Sequence, residues 1–203
     1  MTGPAQSPRS CWYGIPLLFF TLYILLPLAG CARDPGSNDE DDDVRFPLSD
    51  YRIWQPFANP NPSFGGRYHC AEDAYGSAGT AVYAIADGMV SYSGPMGGYG
   101  WLMIVDHPEL NVYSLYGHLS TWREKVTSGD VLNGVVIGYL ADDAEDGSGG
   151  DYPEWGPHLH FGIRLGSRSD YPDTGDSRWM AGYTTAHPTQ LGWLRPSDFM
   201  EDN

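Results

Sequence analysis

A chain of 203 residues with 26 Asp and Glu against 11 Lys and Arg, and a formal charge of -15, has room for one compact domain with an appended segment, or at most two small ones. Its acidity argues against nucleic acid as a partner. Gly, Pro, Tyr and Trp are abundant and Lys is scarce, which favours short strands joined by tight turns over a helical bundle, so a mainly β protein is expected.

The N-terminal segment bears on the compartment. After Arg9, the only Lys or Arg before position 31, an apolar run from Trp12 to Leu28 leads into Leu28-Ala29-Gly30-Cys31. That ending resembles a bacterial lipobox, which implies cleavage before Cys31 and lipidation of its thiol. An uncleaved membrane anchor is the alternative, but Pro16 and Pro27 suit a spanning helix poorly. Both readings put the remainder of the chain outside the cytoplasm, in the cell envelope; in the lipobox reading Ala32 directly after Cys31 does not resemble an inner-membrane retention signal, which favours the outer membrane, facing the periplasm, if the source is diderm. Residues 1–30 are thus expected to be a lipoprotein signal peptide; without them 10 basic residues stand against 26 acidic ones, a charge of -16. With Cys11 lost and Cys31 lipidated, Cys70 keeps no intrachain partner and no disulfide framework is expected. Residues 31–50, with five consecutive acids from Asp39 to Asp43, read as a self-repelling tether, and residues 51–203 as the folded domain with a C-terminal extension.

Beyond Tyr51 strand signals come in close succession: Ala81 to Ser93, Trp101 to Asp106, Val112 to Ser120, Val135 to Leu140 and His158 to Leu165, each apolar or alternating and separated by Gly, Pro or Asn. The run Trp101-Leu102-Met103-Ile104-Val105 is apolar throughout and predicts a strand covered on both faces. The C-terminal part from Gly182, with Trp193, Leu194 and Phe199, is expected to pack back on the sheet as a loop and a short turn.

Three segments carry chemistry. In His158-Leu159-His160-Phe161-Gly162-Ile163-Arg164-Leu165, strand alternation sends Leu159, Phe161, Ile163 and Leu165 into a core and His158, His160 and Arg164 outward together. Upstream, His69 and Asp73 lie four apart among glycines that disfavour a helix, so a strand end and turn is expected there. His118 follows the end of a strand in Gly117-His118-Leu119-Ser120. Three N or O ligands, an open position for water and nearby imidazoles are what a hydrolytic zinc site requires.

These segments, His69-x-x-x-Asp73, Gly117-His118-Leu119-Ser120 and Gly156-Pro157-His158-Leu159-His160-Phe161, resemble in content and order the three signatures of the lysostaphin-like zinc endopeptidases. Framework segments around Gly79 to Ala84, Ala86 to Val90, Gly129 to Val131 and Val136 to Gly138 are also similar, so the resemblance covers about residues 62–166. It implies an antiparallel, sandwich-like single domain of the duplicated hybrid motif type, with long loops around a groove. It further implies Zn2+ bound by His69, Asp73 and His160, with His118 and His158 as general base or as stabilisers of the tetrahedral intermediate. The substrate implied is a peptide bond in peptidoglycan stems or cross-bridges. A membrane partner enters only through the lipid anchor, and no oligomeric state is implied.

The sequence departs from the family's short Gly-rich turn before the His-x-His strand: Ala141 to Trp155 is longer and strongly acidic over residues 142–151. It reads as a solvated loop, with a rim selecting amine-bearing substrates as the functional alternative. His107 is expected to cap a turn, His187 to be structural, and Cys70 to be a buried thiol and not a fourth ligand. Tyr99, Trp101 and Trp155 are assigned to core packing, with a groove lining as the alternative. Trp54 to Phe64 is a candidate groove-blocking segment. A catalytically silent envelope lipoprotein that activates another wall hydrolase is the rival function, and a peptidase acting on proteins a third; the complete ligand and proton-transfer set favours the enzyme.

Overall fold

The computed structural model describes residues 44–142, 145 and 156–203. The expected signal peptide, Cys31, the acidic run 39–43, Trp155 and most of the loop 142–151 lie outside the described residues.

Thirteen strands follow in chain order: β1 Ile53–Gln55, β2 Pro60–Asn61, β3 Arg67–His69, β4 Glu72–Tyr75, β5 Ala81–Tyr83, β6 Gly88–Met96, β7 Gly100–His107, β8 Val112–Leu119, β9 Gly129–Val131, β10 Val136–Tyr139, β11 His158–Leu165, β12 Tyr183–Thr184 and β13 Trp193–Leu194. Among the described residues one α-helix, α1, spans Pro196–Asp202. The main sheet runs β1-β4-β11-β8-β7-β6-β9, with β13 also paired to β11; β10-β5 and β12-β3-β2 form two small sheets. Every pairing is antiparallel. The expected mainly β, antiparallel single domain is what the chain forms.

Both faces of the main sheet are covered. On one face Met103, Val105, Tyr116, Leu159, Phe161 and Ile163 join Val82, Ile85 and Ile137 in an apolar cluster. On the other, Leu102, Ile104, Tyr113 and Leu115 pack against Trp179, Ala181 and Trp193 of the C-terminal segment. Alternate residues of β7 thus feed two different cores, which is why that strand is apolar throughout.

Several expectations need correction. The folded unit begins before Tyr51, since Val44 and Leu48 are buried in the first cluster; residues 44–48 are packed and not tether. Ala81 to Ser93 is two strands, split at residues 84–87. The His158, His160 and Arg164 face of β11 does not point to solvent. Arg164 is fully buried, its guanidinium 3.4 Å from the Tyr171 ring and 4.8 Å from that of Trp193, because the C-terminal segment folds across it. Leu165, expected inside, is exposed at the strand end. That segment is also more regular than a loop and turn, contributing β12, β13 and α1.

Candidate metal and proton-transfer site

Four strands bring the signature residues together. β11 pairs with β4 so that His160 lies opposite Asp73, and with β8 so that His160 also lies opposite Gly117. His69 ends β3, whose partner β12 sets Tyr183 against it. His69 and Asp73, four apart in sequence, therefore reach one point from two different sheets.

That point is tightly defined. His160 Nδ1 lies 2.9 Å from Asp73 Oδ1 and 3.1 Å from His69 Nε2, and His69 Nε2 lies 3.4 Å from Asp73 Oδ1. All three residues are buried. Zinc bound tetrahedrally at roughly 2.0–2.2 Å sets its ligand atoms roughly 3.3–3.6 Å apart; one edge of the observed triangle matches this and the other two fall a few tenths of an ångström short. The tautomers agree with this. His69 Nδ1 lies 3.3 Å from the Pro56 carbonyl and can donate to it, which leaves the Nε2 lone pair aimed at the cluster. Burial pushes the Asp73 carboxyl up, but His69 and His160 beside it prevail and hold it well below the usual range. His160 is pushed down, chiefly by burial and against the pull of Asp73, so it stays neutral as a ligand must.

The other two imidazoles sit alongside. His118 and His158 have ring centroids 4.5 Å apart, and His118 lies 6.0 Å from His160. His158 Nδ1 lies 3.0 Å from the Gly156 carbonyl, so Nδ1–H donates there and Nε2 is left as a base. His118 is held neutral, its pKa pushed well below the ordinary value by burial and then by His158 and His160. Its backbone has φ of 61°, in the left-handed region, although it lies within β8. The neighbouring Gly117 is required by close packing: a Cβ there would stand 2.6 Å from the Tyr99 ring. Tyr99 can therefore lie over the site, 5.3 Å from the His160 ring and 6.1 Å from that of His118, with its hydroxyl donating to the Met180 carbonyl.

All five expected site residues are thus brought together around one cleft of about 310 Å³; Asp73, His118, His158 and His160 line it with Tyr99, while His69 lies behind, in contact with His160 and Asp73. The Trp54 to Phe64 segment flanks the cleft: the Trp54 ring is 5.4 Å from His158, and Phe64 stacks on Tyr183 at 4.1 Å. Cys70 is fully buried, its thiol pushed up to about 12 by burial, and stands apart from the ligand cluster beside Thr184. His107 stands at the N-cap of the turn Pro108–Leu110, as expected, but its side chain makes no capping bond: the ring is buried between the Asp87 carbonyl at 2.9 Å and Ser114 Oγ at 2.7 Å. His187 is exposed, with Nδ1 2.9 Å from Thr189 Oγ1 and its ring 5.4 Å from that of Tyr68. Trp101 is half-buried, with Lys125 over its ring. Glu145, read as part of a solvated loop, is buried and takes hydrogen bonds from Ser120 Oγ, the Trp122 N–H and Arg123.

Sequence reasoning missed three contributors. Glu72, fully buried behind Asp73, accepts from Tyr51 Oη at 3.1 Å and from the Ser197 N–H and Oγ at 3.0 and 2.8 Å, tying β4 to the start of α1. Arg67 and Arg178 line the cleft. For Arg67 a signal was available, since it alternates with His69 in β3; Glu72 and Arg178 depend on C-terminal contacts that no local pattern announces.

Residues 67–172, just over half the chain, match Peptidase family M23. The chain belongs to this family. A region of 106 residues is 36% identical to the DD-carboxypeptidase/endopeptidase Mpg of Neisseria meningitidis serogroup B, over 52% of this M23 chain and 22% of that protein. The chain thus spans about a fifth of the length of the curated relatives it matches. Among solved structures, lysostaphin from Staphylococcus simulans aligns with a TM-score of 0.55 at 20% identity, over 79% of this chain and 55% of that one. Its catalytic domain aligns at 0.52 and 21%, over 74% and 92%. These likenesses show the shared fold, as the lysostaphin-like signatures imply.

Proposed function

We propose that this M23 chain is a zinc-dependent endopeptidase that hydrolyses peptide bonds of peptidoglycan stems or cross-bridges. The observation that carries the reading is the buried convergence of His69 Nε2, Asp73 Oδ1 and His160 Nδ1 within 2.9–3.4 Å, with the His118 and His158 imidazoles beside it. The wall substrate is supported by the match to a relative named as a DD-carboxypeptidase/endopeptidase.

His69, Asp73 and His160 would hold the zinc. When bound, the ion supplies Lewis acidity that activates water and polarises the scissile carbonyl. The chain's own groups handle the protons. His158, its Nδ1–H fixed on the Gly156 carbonyl, takes the proton of the attacking water at Nε2 and passes it to the departing amine as the C–N bond breaks. His118 keeps one N–H in its neutral form and directs it at the developing oxyanion; burial keeps it from competing for the transferred proton. Tyr99 covers the site and limits access of water to the His160 side.

Lipidation at Cys31 belongs to the same proposal and is supported by Leu28-Ala29-Gly30-Cys31; it would anchor the chain by its N-terminus on the outer side of a membrane, within reach of the wall. Acyl modification detected by mass spectrometry, and abolished by Cys31→Ser, is the expected result.

The deciding experiment measures zinc content and cleavage of peptidoglycan peptides on one purified batch, beside His160→Ala. Stoichiometric zinc with cleavage that the variant loses supports the enzyme. A chain that binds no zinc and cleaves nothing overturns it in favour of a silent activator of another wall hydrolase.

A further inference from the structure

We propose that Arg67 and Arg178 form a carboxylate-binding subsite in the cleft, so that the preferred substrate carries a free carboxylate close to the scissile bond. This rests on the peptidase reading and names the substrate class for the same site.

Arg67 is two residues before His69 on β3, so alternation puts its side chain on the same face as that imidazole. Arg178 comes from the C-terminal segment, and its backbone is held with unusual firmness. The carbonyls of Ser177 and Arg178 accept from Arg164 Nη1, that of Trp179 from Tyr113 Oη and that of Met180 from Tyr99 Oη, at 2.8–3.3 Å. Four consecutive carbonyls are thus pinned by three buried side chains, and the guanidinium next in line is presented from a fixed base.

Both guanidinium groups have donors to spare. Arg178 spends one of its N–H groups on the Gly175 carbonyl at 3.0 Å; the Arg67 guanidinium makes no side-chain hydrogen bond or ion pair among the described residues, although its charge helps hold the Asp176 carboxyl down. The acid nearest in role, Asp176, has its oxygens taken by the Thr185 and Ala186 N–H groups at 2.8–3.0 Å. Asp73, the one described acid lining the cleft, is engaged by His69 and His160. A chain of net charge -15 therefore opens, at this cleft, onto two arginines that keep spare N–H donors. The chemistry that satisfies planar guanidinium forks is a carboxylate, whose two oxygens accept paired N–H bonds. The Phe64 and Tyr183 stack in the same wall offers apolar cover that strengthens such contacts.

The test uses the full chain and soluble peptides released from peptidoglycan, with their carboxylates free or all converted to carboxamides. The expected ratio of kcat/KM, acid over amide, is about tenfold or more and arises in KM. Arg67→Gln and Arg178→Gln should each lower that ratio severalfold, the double variant should bring it near one, and Arg→Lys at either site should keep part of it. A ratio near one for the wild-type chain, or one that survives in the double variant, overturns the subsite. Calorimetry of the same two peptide sets with His118→Ala separates this from the peptidase reading: tighter binding of the acid set, lost when both arginines are also changed, upholds the subsite even if nothing is cleaved. Equal binding of both sets, or none, sinks it.

Discussion

Two histidines, His107 and His160, are buried on strands of the same sheet and end in opposite situations. The His107 network closes on itself: Nδ1 meets the Asp87 carbonyl, Nε2 meets Ser114 Oγ, Ser114 Oγ lies 3.0 Å from Tyr116 Oη, and the Ile85 N–H donates to that hydroxyl. Each group has a partner and nothing is left to bind. The His160 network is unbalanced. Nδ1 faces both Asp73 and His69 Nε2, while Nε2 is buried with no partner among the described residues. Burial does not distinguish a structural histidine from a functional one; a surplus of acceptor atoms converging on one point does.

His160→Ala attacks the open network and should have the largest effect. Metal content should fall to background and kcat/KM per folded molecule by at least about 10³-fold, as read by metal analysis and kinetics on one batch. If His107→Gln did the same, the distinction between the two networks would collapse. His118→Ala and His158→Ala should each lower kcat about 10²–10⁴-fold while leaving bound metal in place. Loss of metal in either would move that residue into the ligand set.

His107→Gln should cost about 1–3 kcal/mol in denaturant unfolding and leave activity per folded molecule intact. It should also flatten the pH dependence of stability. Burial lowers the His107 pKa in the folded state below its ordinary 6.5, so the unfolded chain binds the proton first as pH falls. The stabilising contribution is full above pH 6.5 and shrinks below it, by at most about 1.4 kcal/mol per pH unit. His118 and His160 are likewise pushed down by burial, so each should keep its neutral form below pH 6.5, as NMR titration of the two imidazoles would show. The smallest effect concerns Cys70, which should resist alkylation in the native state and react only on unfolding, since its thiol is buried and its pKa raised to about 12.

Much of the site was legible because its information is local. His158 to Leu165 forms a strand with the bounds its alternation predicts, and no helix forms around His69 and Asp73: His69 ends a strand as expected, while Asp73 lies inside the next strand, β4, and not in a turn. What could not be read depends on contacts between distant segments. Arg164 looked solvent-facing because alternation describes one strand, whereas its burial is imposed by Tyr171 and Trp193 arriving later in the chain. Val44 and Leu48 sit beside an acidic run that gives no hint of their packing, and Glu145 looked like one of several equivalent acids until Ser120 and Arg123 singled it out.

The left-handed backbone at His118 has an evolutionary corollary. A non-glycine residue at φ 61° costs about 1–2 kcal/mol that Gly or Asn would largely avoid. A population screened for thermal resistance alone should therefore accumulate Gly or Asn at position 118 and lose turnover as it gains robustness. The imidazole would be kept only where selection acts on hydrolysis, which makes this position a molecular record of whether a lineage still uses the reaction.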